Sequence, residues 1–243
     1  MRIHFTIPAY QESKRLPRYL LTLLTEIQKC VWDVTVQVVD DGSGPQETER
    51  LLSELSPLHK QFPQLLPTII LEKNLGKGGA VYTGWHQAPE CDLLGFVDAD
   101  GSIPAGELVR LCQLAGQCSD TAIFGSRILM LGRTVKRSAF RHYVGRVFAT
   151  ITSTLLEIPV YDSQCGIKII PAGTFRAFAS DCREFGFAFD TELLLLLKRE
   201  RCAIREEAID WHDTPGSKVN VVRDGMRMIG TLLRLRNRFI TRR

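Results

Sequence analysis

Short apolar runs alternate along the first half of the chain with stretches in which apolar residues recur at helical spacing. The runs predict five strands, each followed by a polar loop, at Ile3–Ile7, Val34–Val39, Thr68–Leu71, Leu93–Val97 and Ala122–Phe124. Between the strands the spacing predicts helices over Leu16–Ile27, from Pro45, from about Ala80 and over Glu107–Ala115, and a proline-rich loop over Ser56–Pro67. Strands that alternate with crossover helices build a mainly parallel sheet, so the pattern predicts an α/β fold with helices flanking the sheet.

The second half of the chain is more basic and its pattern is less regular. It predicts a long helix over Arg133–Leu156, two later helices over Phe189–Lys198 and Val221–Ile240, strands over Ile167–Ile170 and Ala203–Ile209, and a loop over Trp211–Lys218. There is no internal repeat and no low-complexity linker. A single domain over residues 1–243 is therefore the simplest expectation.

Two carboxylates follow the most apolar of the predicted strands. Leu93–Val97 runs directly into Asp98, Ala99 and Asp100, and Gly101 then turns the chain. Residues two apart on an extended chain point to the same side, and open α/β sheets bind ligands at the carboxyl ends of their strands. Adjacent carboxylates repel each other unless a cation lies between them. The segment is consistent either with a cation site or with an ordinary turn that ends a strand.

The charge and the cysteine content argue against a nucleic-acid-binding protein and against a fold held by disulfides or zinc. The formal net charge is +4 over 243 residues, which is too small to indicate a nucleic-acid partner. The seven cysteines are scattered and form no C-x-x-C pair, which indicates reduced thiols rather than a disulfide or zinc framework. Neither a signal peptide nor an uncharged apolar run near ~18 residues is present. We therefore expect a cytoplasmic protein, with at most peripheral contact to a membrane.

The glycine-rich segment around Lys77 does not match the common dinucleotide or nucleotide motifs. In the G-x-G-x-x-G pattern Val81 stands where the third glycine belongs, and in a P-loop Ser or Thr would follow Lys77 instead of Gly78. An NAD(P)-dependent enzyme is therefore disfavoured. A flexible turn with a solvated Lys77 and a contact to a diphosphate or sugar both remain open, and the second is slightly favoured.

Several motifs occur in a fixed order along the chain, beginning with Pro8-Ala9-Tyr10-Gln11-Glu12, Val38-Val39-Asp40-Asp41-Gly42-Ser43 and Asp98-Ala99-Asp100. Together they resemble the inverting GT-A-fold glycosyltransferases of family two, whose signatures are P-x-Y-N-E, V-D-D-G-S and D-x-D. The resemblance continues through Asn74–Ala80, Gly125–Arg127, Asp162–Lys168, Ala188–Leu193 and Gly216–Lys218. These later segments are most similar to the dolichyl-phosphate β-glucosyltransferases and a little less similar to the polyprenyl-phosphate mannosyltransferases. The chain departs from the family at Gln11, where Asn is usual, and we expect no transmembrane anchor of the kind that many relatives carry.

The resemblance implies a GT-A fold, a Rossmann-like nucleotide-diphospho-sugar transferase, in which residues 1–127 bind the nucleotide sugar and residues 128–243 the acceptor. It implies a donor site formed by Pro8, Tyr10, Glu12, Val38, Asp40, Lys77, Asp98, Ala99, Asp100, Arg127 and Lys218. Mg²⁺ or Mn²⁺ would be held there, with Asp100 as the direct ligand and Asp98 as a second ligand that also contacts the sugar or ribose. Arg127 and Lys218 would clamp phosphate groups.

The acceptor determines whether the enzyme needs a general base. A hydroxyl acceptor requires one, and Asp162 and Asp190 are the available carboxylates, although each fits a structural hydrogen bond equally well. A phosphomonoester has a second pKa near ~6 and is already ionised, so it needs cations instead. The resemblance and the basic residues favour transfer of glucose from UDP-glucose to a polyprenyl phosphate, with catalytic roles for Asp98, Asp100, Arg127, Asp162, Asp190 and Lys218.

Three alternatives to this reaction stay open, together with the oligomeric state. They are a mannosyltransferase that uses GDP-mannose, a transferase to a glycan hydroxyl, and a nucleotide-sugar-binding module without turnover. His212 receives no predicted role.

The last predicted helix allows two interpretations. Seven arginines between Arg223 and Arg243 are interleaved with apolar residues and accompanied by one acid, Asp224. A basic amphipathic helix of this kind can rest on an anionic membrane and bring the enzyme to a lipid-phosphate acceptor. The commoner arrangement is a helix packed on the core with a solvated basic face.

Overall fold

The computed structural model describes residues 1–136, 150–158, 160–186, 188–214 and 221–240, and of residues 136 and 221–229 it describes the backbone only. The strands in this part of the chain are β1 Arg2–Ala9, β2 Asp33–Asp40, β3 Leu65–Ile70, β4 Leu93–Val97, β5 Thr121–Ser126, β6 Val135–Lys136, β7 Ile167–Pro171, β8 Ala203–Ala208 and β9 Trp211–His212. The longer helices are α1 Leu16–Ile27, α2 Pro45–Gln61, α3 Lys77–His86, α4 Ala105–Gln117, α5 Ala172–Phe178, α6 Phe189–Arg199 and α7 Val221–Phe239.

Seven strands form one sheet in the order β3-β2-β1-β4-β7-β5-β8. The neighbours β3, β2, β1 and β4 are parallel, as are β5 and β8, so the predicted mainly parallel sheet is confirmed. The strand β7 runs antiparallel between β4 and β5, which the sequence did not predict. As a result, the amino end of β7 lies at the same edge of the sheet as the carboxyl ends of the parallel strands.

Both faces of the sheet are covered. On β4, Leu93 and Val97 belong to one buried cluster, together with apolar residues of α1, α2 and α4. Leu94 and Phe96 face a second cluster, formed with residues of α3, α5, α6 and α7. A strand that is buried on both faces has no polar face, and this explains the continuous apolar run at Leu93–Val97.

The predicted loop over Ser56–Pro67 is wrong. The helix α2 continues through Pro57 to Gln61, and β3 begins at Leu65. The side chains of Leu51, Leu55 and Leu58 recur at helical spacing and are buried. Packing of this apolar stripe stabilises the helix beyond a proline, which on propensity alone ends or kinks a helix.

The long helix predicted over Arg133–Leu156 is wrong at its start. Val135–Lys136 forms the strand β6 and pairs in parallel with β9 at Trp211–His212, where the sequence predicted a loop. Residues 150–156 are helical as predicted, and residues 137–149 lie outside the described part of the chain. The short helix α5 was not predicted.

The described end of the last helix packs on the core. Leu232 and Leu235 are buried, whereas Leu233 is exposed. Arg238 Nη1 lies 2.6 Å from Oε1 of Glu192, which is fully buried on α6. Over these residues α7 follows the core-packed interpretation, and this part of its apolar face cannot lie on a membrane. None of the described helices has the length and apolarity that crossing a bilayer requires.

Candidate functional site

The predicted site residues of the first half come to one edge of the sheet. Tyr10 follows β1, Asp40 ends β2, Asp98 follows β4 and Arg127 follows β5. Ala9 pairs with Asp40 across β1 and β2, and β4 lies on the other side of β1. Because these neighbouring strands are parallel, their carboxyl ends form a common edge, which is where open α/β sheets bind ligands.

Asp98 is fixed by its backbone and by one lysine. Its N–H donates to the carbonyl oxygen of Gly166 at 2.9 Å, and Lys77 Nζ lies 2.7 Å from its Oδ1. A methyl group at Gly166 would overlap the Asp98 carboxylate, so glycine leaves room for this side chain in its observed orientation. The loop before β7 and the start of α3 therefore both position Asp98.

Lys77 reaches Asp98 because α3 begins earlier than predicted. The helix starts at Lys77 rather than near Ala80, directly after Gly76 with φ +90°. Only glycine adopts such a φ readily. The carboxylate of Asp41 accepts hydrogen bonds from the N–H groups of Leu75 at 2.7 Å and Gly76 at 2.9 Å. Asp41 belongs to the V-D-D-G-S segment but was not among the predicted site residues, and its part here is to anchor the loop that carries Lys77.

Behind Lys77 lies a buried ion pair. Lys168 Nζ is 2.5 Å from Oδ1 of Asp190 and donates to the carbonyl oxygen of Cys165 at 2.8 Å. The Lys168 ammonium also lies 5.1 Å from the ring centroid of Phe96, within cation–π distance. Asp190 Oδ2 is 3.9 Å from Lys77 Nζ. Asp190 is thus shared by two lysines and lies within the protein, not at the open side of the site.

The protonation states of Asp98 and Lys77 depend on burial and on the neighbouring charges. Burial raises the pKa of Asp98, Lys77 opposes that rise, and Asp100 adds to it. Burial disfavours the Lys77 cation, but Asp98 and Asp190 outweigh burial and raise the pKa of Lys77 above its ordinary value. Lys77 is therefore a cation at neutral pH. A divalent ion close to Asp98 and Asp100 would also lower the free energy of both ionised carboxylates.

Asp100 leaves one oxygen available. Its Oδ1 accepts from the N–H of Ser102 at 2.9 Å and from Ser102 Oγ at 2.6 Å. In the described residues its Oδ2 accepts no hydrogen bond. Nearby, the buried hydroxyl of Tyr19 has no partner among the described residues, and burial, followed by the charges of Asp100 and Asp98, raises its pKa. Most buried polar groups have a partner, and a bound water or ion would supply one to the Tyr19 hydroxyl.

Asp98 and Asp100 fit a divalent ion that takes further ligands from a substrate. Mg²⁺ and Mn²⁺ prefer oxygen ligands, and Mg²⁺ is commonly held by one or two carboxylates plus substrate phosphates. Within the described residues no group of three His, Cys, Asp or Glu side chains could hold an ion by itself. The donor set is thus suited to an ion that arrives with a diphosphate.

The residues expected around the nucleotide differ in exposure. Tyr10 is exposed, so its ring can face a base. Glu12 is buried, and the guanidinium of Arg15 donates to both of its carboxylate oxygens, at 2.8 Å and 2.5 Å. Pro8, which precedes them on β1, is partly buried. Of the three, Tyr10 presents the largest accessible surface for a ligand.

Three other residues predicted to border the nucleotide are buried. Val38 and Ala99 belong to the hydrophobic core, so a ligand could reach only their backbone. Asp40 is buried, and its carboxylate accepts from Ser43 and from the hydroxyl of Thr48. Asp40 thereby orders the start of α2. The predicted contact between Asp40 and the base stays a prediction.

Arg127 and Asp162 form a two-point ion pair. Arg127 Nε donates to Asp162 Oδ2 at 2.7 Å and Nη2 to Oδ1 at 2.8 Å, and the backbone N–H of Arg127 also donates to Oδ2 at 3.0 Å. Burial alone would raise the pKa of Asp162, but the Arg127 charge and hydrogen bonds outweigh it and lower the pKa to about 2. Asp162 is therefore an ionised partner of Arg127 at neutral pH.

Lys218 lies outside the described residues, so its predicted role as a phosphate clamp stays a prediction.

Sequence analysis missed Lys168, Tyr19 and Asp41 as parts of the site. One signal was available: Lys168 interrupts the apolar run Ile167–Ile170, and a lysine inside a buried strand requires a buried partner.

Comparisons with known proteins give a family match over most of the chain. Residues 5–177 match the sequence model of the family described as Glycosyl transferase family 2. The dolichyl-phosphate beta-glucosyltransferase of Drosophila melanogaster is 30% identical over 228 residues, covering 90% of this chain and 69% of that protein. The dolichyl-phosphate beta-glucosyltransferase of Saccharomyces cerevisiae is 28% identical over 250 residues, covering 96% of this chain and 74% of the yeast protein.

A solved structure shares the fold. The glucosyl-3-phosphoglycerate synthase of Mycobacterium tuberculosis, crystallised with Mn²⁺, UDP-glucose and phosphoglyceric acid, superposes with a TM-score of 0.69 at 15% identity. The match covers 97% of this chain and 80% of that one. At this identity the likeness shows the fold alone, and the predicted GT-A fold is confirmed.

Proposed function

Because this chain belongs to glycosyl transferase family 2, we propose that it transfers glucose from UDP-glucose to a polyprenyl phosphate of the dolichyl type. The two relatives named above are named for glucosyl transfer to dolichyl phosphate, and they align with nearly the whole chain. The transfer is a direct displacement at the anomeric carbon, which inverts its configuration.

The observation that supports a phosphate acceptor is that Asp162 and Asp190 are each paired with a cation. These are the two carboxylates that the sequence offered as general bases, and each is held by cations, Asp162 by Arg127 and Asp190 by Lys168 and Lys77. The pKa of Asp162, lowered to about 2, makes it a weak base, and Asp190 lies within the protein, away from the open side of the site. A phosphate acceptor is already ionised and needs no base, so it suits this site better than a hydroxyl does.

The nucleotide sugar would be bound at its base and at its diphosphate. Tyr10 offers an aromatic face to the base, and Asp100, with its open Oδ2, would be the direct ligand of a divalent ion. When bound, that ion would neutralise charge on the departing nucleoside diphosphate. Lys77 opposes the rise in the pKa of Asp98 and orients its carboxylate. Arg127 lies at the carboxyl end of β5, paired with Asp162, and Lys218 is expected to add a further cation.

The proposed location is the cytoplasmic surface of a membrane that contains the lipid acceptor. All seven cysteines are free thiols, which supports a reducing compartment. The relatives' names give a membrane lipid as their acceptor. The division into a donor half, residues 1–127, and an acceptor half, residues 128–243, is part of the same proposal, although the central sheet takes strands from both.

A transfer assay tests the reaction. The full chain is incubated with radiolabelled UDP-glucose or GDP-mannose, with a polyprenyl phosphate or the matching polyprenyl alcohol, and with Mn²⁺, Mg²⁺ or EDTA. We expect labelled lipid from UDP-glucose and the phosphate, and none in EDTA. Label from GDP-mannose would establish the alternative donor, and label on the alcohol would show that a hydroxyl serves as acceptor and that the phosphate is not required. Binding of UDP with no release from any donor would establish a non-catalytic module.

A further inference from the structure

A loop of consecutive apolar residues stands at the edge of the sheet that carries the site. Ile128–Leu131, here named the apolar loop, follows Arg127 directly at the carboxyl end of β5. Leu129 is 73% exposed, Met130 52% and Leu131 99%. Elsewhere in the described chain, large exposed apolar residues do not occur consecutively. A contiguous exposed apolar surface of this kind marks a contact with a partner or a membrane.

The apolar loop is held in place at both ends. Arg127 is fixed by its ion pair at one end. At the other, the N–H of Arg133 donates to the carbonyl oxygen of Met130 at 3.1 Å, and Arg133 Nη1 lies 2.8 Å from Glu107 on α4. Gly132, with φ +80°, makes the turn between them. An anchored turn keeps the leucines projecting outward instead of letting them fold back onto the core.

The sequence that follows the apolar loop is basic. From residue 127 to residue 156 the sequence contains six basic residues and no Asp or Glu, the basic ones being Arg127, Arg133, Lys136, Arg137, Arg141 and Arg146. Apolar residues flanked by cations are the composition that partitions into the headgroup region of an anionic membrane. Arg127 and Arg133 are paired with Asp162 and Glu107. A protein partner could also cover apolar residues, but the four further basic residues that follow the loop, with no acid up to residue 156, favour an anionic bilayer.

We propose that the apolar loop inserts into the membrane that carries the lipid acceptor and holds the site at the level of the lipid phosphate. This inference rests on the proposed lipid-phosphate acceptor. It assigns the membrane contact to Leu129, Met130 and Leu131 and not to the last helix, whose residues Leu232 and Leu235 are buried in the core. The lipid chain of such an acceptor stays in the bilayer while its phosphate lies at the surface, so the edge that holds Asp100 must face the membrane.

Vesicle binding of the full chain tests the proposal without acceptor or donor. Acceptor-free vesicles of phosphatidylcholine, with and without phosphatidylserine, are sedimented with the wild type, with the triple variant L129N/M130N/L131N, and with the control V31N/L52N. The control removes two exposed apolar side chains that lie elsewhere on the surface. We expect the triple variant to bind at least roughly a hundredfold more weakly, since each leucine-sized side chain contributes about tenfold or more, and the control to bind as the wild type does.

A second variant reports insertion directly. Leu131→Trp is expected to lose fluorescence when the vesicles contain brominated lipid, beyond any loss seen in the parent chain. Unchanged binding of the triple variant would overturn the proposal. So would a wild type that stays in the supernatant with both vesicle types, which would indicate a protein partner instead.

A soluble acceptor separates this inference from the proposed reaction. With UDP-glucose and a short-chain, water-soluble polyprenyl phosphate, we expect the triple variant to transfer glucose as fast as the wild type. A wild type that binds vesicles through the apolar loop but transfers no glucose would refute the reaction and keep the membrane contact. A wild type that transfers glucose while the triple variant still binds vesicles would support the reaction and refute the membrane contact through the apolar loop.

Discussion

Lys168 and Asp190 form an ion pair inside the central sheet and its covering helix, with Nζ 2.5 Å from Oδ1 and side chains 0% and 3% exposed. Lys168 stands on β7 between Phe96 of β4 and Phe124 of β5, with its ammonium about equally distant from both rings. Desolvation makes such a pair costly to form, yet it fixes Asp190 beneath Lys77. The position of Lys77, the cation beside Asp98, thus depends on the buried carboxylate of Asp190.

Removal of Lys168 is expected to destabilise the fold strongly. In Lys168→Met, Asp190 would stay buried with only the more distant Lys77, and breaking one side of a buried pair costs about 3–5 kcal/mol. The matched control is Lys29→Met, because Lys29 and Glu26 form a pair of the same length, 2.5 Å, on the surface. We expect the control to change the free energy of unfolding by less than about 1 kcal/mol. Urea unfolding measures both, and equal effects would contradict the buried pair.

Asp100→Asn tests the divalent ion. The amide oxygen can still accept from Ser102, so the local turn is preserved, but the negative charge at Oδ2 is lost. We expect kcat/KM to fall roughly a hundredfold or more, since a metal ion contributes several kcal/mol to such reactions. Calorimetry should show that Mn²⁺ no longer raises the affinity for UDP. Asp120→Asn, on the opposite edge of the sheet, is the control, and a variant at position 100 that kept the Mn²⁺ effect would exclude Asp100 as a ligand.

Gly166→Ala tests the orientation of Asp98. The added methyl would overlap the Asp98 carboxylate, which can turn aside because it is the end of a flexible side chain. We expect a change in unfolding free energy of less than about 1 kcal/mol, but a drop in kcat on the order of a hundredfold, the effect of about 1 Å of misplacement. Gly173→Ala on α5, where a methyl meets open space, is the matched control. Full activity in Gly166→Ala would show that Asp98 is not held in its working position.

The sequence predicted most of the sheet and the edge at which the candidate site residues meet. Leu93–Val97 was predicted with its observed bounds, because burial on both faces leaves a run with no polar residue. The aspartates that follow it were placed correctly at a carboxyl end, since the alternation of strands and helices fixes the direction of parallel strands. These are local signals, and local signals are what a single sequence carries.

The pairings inside the site could not be predicted in the same way. Arg127 and Asp162 are 35 positions apart, and Lys168 and Asp190 are 22 apart. Which carboxylate meets which cation depends on β7 running antiparallel between β4 and β5, and an apolar run shows no direction. Both carboxylates were therefore left open as bases, and only their partners in the fold show that their charge is neutralised.

The stability of the protein should depend on pH through Asp162. Its pKa is lowered from 3.8 to about 2 in the fold, so its ionised form contributes about 2 kcal/mol above pH ~4. That contribution is lost as the pH falls through the window from about 4 to about 2. We expect the difference in unfolding free energy between wild type and Asp162→Asn to be largest at neutral pH and to shrink across this window. A difference that stays constant with pH would contradict the pairing with Arg127, and in Arg127→Met the Asp162 carboxyl should titrate at higher pH by NMR.

The anchoring of the last helix can be tested with two arginines on the same helix. Arg238 lies 2.6 Å from the fully buried Glu192 and also donates to the carbonyl oxygen of Asp181 at 2.7 Å, whereas Arg234 is mostly exposed and 3.3 Å from Glu184. In Arg238→Met the Glu192 carboxylate would keep only backbone donors, and we expect a loss of about 2–4 kcal/mol. Arg234→Met should cost less than about 1 kcal/mol.

Urea unfolding measures the cost of each arginine, and hydrogen exchange of the helix amides shows where the structure loosens. Faster exchange near residue 238 in Arg238→Met alone would show that the buried carboxylate holds the helix on the core. Equal small losses in both variants would mean that Leu232 and Leu235 suffice to hold it. Neither arginine belongs to the apolar loop, so vesicle binding through that loop should be the same in both arginine variants as in the wild type.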